Sequence, residues 1–161
     1  MIGRVAASSL LLDREFVSMT ETFEAQLTAQ RPLPVAVNGL TGGTMNAAAL
    51  LMAERAMASG GVLLLLAENE RVCRALSAFL TESGVPSAVY PYRDMIMHPV
   101  TASHEHDRAR LSVLSGILHG KLHAVVTTPS ALLQYTLPSE RLSRCSLLLE
   151  RETVIDPSEL C

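Results

Sequence analysis

The stretch PVAVNGLTGGTMNAAALLMAERAMASGGVLLLLA, residues 34–67, decides the fold. It reads as strand, glycine-bearing turn, helix and strand. PVAVNGL (34–40) and GVLLLLA (61–67) are continuous apolar runs, not alternating ones, as strands buried on both faces of a parallel sheet must be. Between them MNAAALLMAERAMAS (45–59) is built from Ala, Leu and Met, all strong helix formers. Met45, Met52 and Met57 fall near one helical face and read as core filler.

The same alternation continues outward. PSAVYPY (86–92), LHAVVTT (122–128) and SLLLE (146–150) read as three further strands. NERVCRALSAFLTESG (69–84) is a helix opening on an Asn69 cap and closing on Gly84. SHEHDRARLSVLSGILHG (103–120) sets Leu111, Leu114, Ile117 and Leu118 on one face, with the charges opposite. Thr128 followed by Pro129 starts a short helix reaching about Tyr135. Repeated β-α units imply right-handed crossovers and a three-layer α/β sandwich with a mainly parallel sheet of about five strands. Residues 14–30 read as a helix, so 1–30 forms an N-terminal helical segment packed on a 31–150 core. DPSEL (156–160) has Asp, Pro and Glu placed as at a helix start, and 151–161 reads as the beginning of a further, truncated domain.

Composition narrows the function. The chain has 161 residues, 48% apolar and 18% charged, which excludes a disordered chain. No apolar run is long enough for a membrane span, and no signal peptide is legible. Thirteen basic against sixteen acidic side chains give −3, against a nucleic-acid binder held by bulk charge. Cys73, Cys145 and Cys161 form no CxxC, as expected of free thiols in a reducing cytoplasm. Of the thirteen basic residues twelve are Arg, and only Lys121 is Lys.

That scarcity matters at GLTGGTMN (39–46), where a phosphate-binding loop belongs. A working loop reads GxxxxGK[ST], with Lys on the terminal phosphates and a hydroxyl on magnesium. Counted from Gly39, Thr44 replaces the second glycine, Met45 stands at the lysine position and Asn46 at the hydroxyl position. Gly39, Gly42 and Gly43 keep the loop's shape, but both groups that engage phosphate and metal are gone. Lys121 in GILHGK follows a helix and precedes a strand, the wrong order for such a loop, and reads as an exposed turn residue. No cofactor or resident metal is expected.

Other candidates are weaker. His104 and His106 are two apart, about 200° around a helix, so they do not form an i, i+4 metal pair. Ser103 reads as an N-cap, with Glu105 and Asp107 favoured in the first turn. Arg93 and Asp94 sit after a strand's carboxyl end, where open α/β sheets bind ligands, and could meet a partner or pair locally. Arg93, Asp94, His104, Arg108 and Arg110 together form the candidate interaction surface. Arg108, Arg110, Arg141, Arg144 and Arg151 are the residues that would serve a DNA-binding reading. The rival from another class is a small NTPase or phosphotransferase with an atypical loop.

YPYRDMI…PVTASHEHDRARLSVLSGIL…AVVTTPSALLQYTLP (90–138), with VNGLTGG (37–43) and LLLERETVIDPSEL (147–160), resembles the N-terminal module of bacterial transcription-repair coupling factor (Mfd). That module is shared with the excision-repair protein UvrB. The resemblance implies a RecA-type, helicase-like α/β core that has lost nucleotide binding. This domain would then be a non-catalytic scaffold making intramolecular contacts. The ATP-driven motor, the RNA-polymerase-binding segment and the contacts to double-stranded DNA are implied downstream, and the UvrA-recruiting domain is implied to begin about where residue 150 falls. UvrB carries a long aromatic hairpin after its third strand. Here PYRDMIMHPVTA is short and Tyr92 is its only aromatic, too little for base stacking.

Overall fold

In the computed structural model the described residues are 11–28, 43–93 and 105–145. In chain order they form α1 (Arg14–Thr28), α2 (Gly43–Ala58), β1 (Leu63–Leu66), α3 (Glu70–Glu82), β2 (Ser87–Tyr90), α4 (Glu105–Leu118), β3 (Ala124–Thr127), α5 (Pro129–Leu132) and α6 (Ser139–Cys145). The fold is α/β. Its described sheet has three parallel strands in the order β1-β3-β2, with Leu65 and Val89 flanking Val126. The strands expected at 34–40 and 146–150 lie outside the described residues, as does the helix start at 156–160. No helix among the described residues is long and apolar enough to cross a membrane.

The sheet sorts its side chains by alternation. Leu63, Ala124 and Val126 face one side, where Leu50, Ala53 and Ala56 of α2 and Cys73, Leu76 and Leu80 of α3 complete the larger core. Tyr90 and Val125 face the other side and meet Val113, Leu114 and Ile117 of α4. β3 is central, and all four of its residues are buried. The edge strand β1 is buried at Leu63 but leaves Leu64 and Leu66 about half exposed. The N-terminal helix buries Phe16 and Thr20, and Asp13 caps it by accepting from the Glu15 and Phe16 amides.

The local signals are met where they can be checked. Asn69 is extended and its side chain accepts from the Val72 amide. Thr128 caps α5 in the same way at the Ala131 amide, with Pro129 in the first helical position. α3 ends at Gly84 (φ +97°), whose left-handed backbone lets the Val85 amide reach back to the Leu80 carbonyl. α4 ends alike at Gly120 (φ +64°), and Lys121 sits exposed in that turn. α6 was not legible as a helix.

One expectation about α4 is corrected. Leu111 and Leu118 are more than 40% exposed, and the helix instead buries Arg110 and Val113, with Leu114 and Ile117 half-buried. The inward stripe is therefore 110, 113, 114 and 117, turned away from the one that apolar residues alone describe. Arg110 is buried because its guanidinium finds enough carbonyl oxygens there.

Candidate functional site

Ligands in open parallel sheets bind beyond the carboxyl ends of the strands. Here that end carries Tyr90, Pro91, Tyr92 and Arg93 after β2, and Thr127, Thr128 and α5 after β3. Arg110 reaches into it from α4. One guanidinium nitrogen, Nη1, donates to the Pro91 carbonyl at 3.0 Å, the Ala131 carbonyl at 3.3 Å and Gln134 Oε1 at 3.0 Å. The other, Nη2, donates to the Tyr135 carbonyl at 3.1 Å. The guanidinium carbon lies 4.1 Å from the centre of the Tyr90 ring, a cation–π contact in a buried setting. One side chain thus joins the end of β2 to the turn after α5.

Gln134 completes the junction. Its Nε2 donates to the Arg93 carbonyl at 2.7 Å, and its Oε1 accepts from the Arg93 amide at 2.8 Å, as a neighbouring strand would. Arg93 Nε pairs with Asp107 at 3.1 Å, and Thr127 Oγ1 donates to the Tyr90 carbonyl at 2.9 Å. Tyr90 and Thr136 link hydroxyl to hydroxyl at 3.1 Å. Arg93 is thus ion-paired with Asp107, one helical turn before Arg110, whereas the expected local pairing with Asp94 lies outside the described residues.

This arrangement is a structural junction. Arg110 spends its donors on four protein acceptors and is 6% exposed, so the expectation of Arg110 on an interaction or DNA-binding surface is corrected. Arg93, Arg108, Arg141 and Arg144 are exposed. Asp94, His104 and Arg151 lie outside the described residues, as do Gly39 and Gly42. Gly43 opens α2, and Met45 and Asn46 stand half-buried in its first turn.

The described residues hold no group of three or more His, Cys, Asp or Glu able to grip a metal ion. Ser115 and His119 resemble a nucleophile and base at first sight, with Oγ and Nδ1 3.3 Å apart. The same Nδ1 lies 2.8 Å from the Ser115 carbonyl, which can only accept, so Nδ1 carries the proton and cannot take one from the hydroxyl. Cys73 and Cys145 are free thiols, buried and exposed respectively. Burial, reinforced by the charge of Glu70, pushes the Cys73 thiol above its ordinary value. Its reactive thiolate is correspondingly disfavoured.

Sequence reasoning missed Gln134, the role of Tyr90 and the inward turn of Arg110. Their partners are 19 to 46 residues apart in the chain, and no spacing rule connects them. Compared with known proteins, the chain matches no family model, no curated protein and no solved structure.

Proposed function

We propose that this chain is a non-catalytic scaffold domain of a transcription-repair coupling factor, its α/β core a RecA-type domain whose phosphate loop has lost its chemistry. The carrying observation is the first turn of α2, where Met45 and Asn46 occupy the lysine and hydroxyl positions. Neither side chain can neutralise a terminal phosphate or supply a hydroxyl to magnesium. The resemblance over 90–138 supports the family assignment. Within that run, Tyr90, Pro91, Arg93, Asp107, Arg110, Ala131, Gln134, Tyr135 and Thr136 are joined in one hydrogen-bonded and ion-paired junction. That run thus supplies the hydrogen-bonded junction at the carboxyl end of β2 and β3.

The reading of a five-stranded sheet rests on the apolar runs at 34–40 and 146–150 in the sequence, beside the three parallel strands described. α2 and α3 share one face, and α4 packs the opposite one. The whole protein would use ATP in downstream motor domains to displace stalled RNA polymerase and would recruit UvrA, in the cytoplasm. This domain would support those parts through intramolecular contacts. The reading frame beyond codon 161 tests the assignment: helicase-type motor motifs downstream are expected, and a stop codon directly after Cys161 contradicts it.

A further inference from the structure

We draw no further inference here: the strongest candidate, the exposed apolar turn formed by Leu132, Leu133 and Tyr135 beyond the carboxyl end of β3, carries nothing because nothing in the structure shows what covers it.

Discussion

Arg110 makes four hydrogen bonds to other segments, and it shows how a charge can belong to a core. Removing it as Arg110→Met leaves three carbonyls and the Gln134 side chain without their shared donor. Lost charge-assisted hydrogen bonds with buried acceptors left behind cost about 3 kcal/mol. Thermal denaturation should show that as a fall of roughly 6–12 °C, given about 2–4 °C per kcal/mol for a chain of this size. Arg110→Lys keeps the charge but not the fork, and should recover only part of the loss. A melting temperature unchanged by Arg110→Met would mean that the junction contributes nothing to stability. Cys73 offers a second test at this scale. It is fully buried and its thiol is held above the ordinary value, whereas Cys145 is exposed. A thiol reagent followed by peptide mapping should label Cys145 in the native protein and Cys73 only on unfolding. A raised folded value leaves stability intact below the unfolded value of 9.0 and erodes it as pH climbs beyond, so alkaline unfolding should be delayed by Cys73→Ala.

Element by element, the caps and the helix–strand contacts set what each segment can tolerate. Asn69→Ala removes the acceptor for the Val72 amide and should cost about 1 kcal/mol, read from chemical denaturation midpoints. Gly116 tests how closely α4 lies on the turn before β3. A Cβ there would stand 2.8 Å from Leu122 Cδ1 and 3.0 Å from its Cγ, too close unless Leu122 shifts. Helix propensity favours Gly116→Ala by about 1 kcal/mol, and the overpacking opposes it by about 1–3 kcal/mol. The substitution should therefore be neutral to destabilising alone and stabilising by about 1 kcal/mol in a Leu122→Ala background. Strict additivity in that double-mutant cycle would show that the contact is not felt. These are also the features that the sequence announces best. β1, β2, β3 and α3 follow from short apolar runs and from Asn69 and Gly84, which are local signals. The buried face of α4 was misread because a rule that sorts residues by polarity cannot foresee an arginine whose acceptors come from two other segments. α6 escaped because SERLSRC has one buried apolar residue, Leu142, and no periodic stripe.

At the scale of the whole molecule, a parallel α/β frame is proposed to carry a phosphate loop with Met45 and Asn46 in place of its lysine and hydroxyl. The junction of Arg110, Tyr90 and Gln134 closes the carboxyl end of β2 and β3 with protein partners, where a ligand-binding relative of such a fold would hold its substrate. Of the candidate residues, Met45 and Asn46 can be read directly from the sequence, because the identity of a side chain is a property of one position. The contacts among Tyr90, Arg93, Arg110 and Gln134 depend on segments brought together only by folding. Calorimetric titration of the 161-residue chain with Mg-ATP decides whether the loop retains nucleotide binding. The account predicts no saturable heat up to millimolar nucleotide, and micromolar binding weakened by substitution of Gly42 would contradict it.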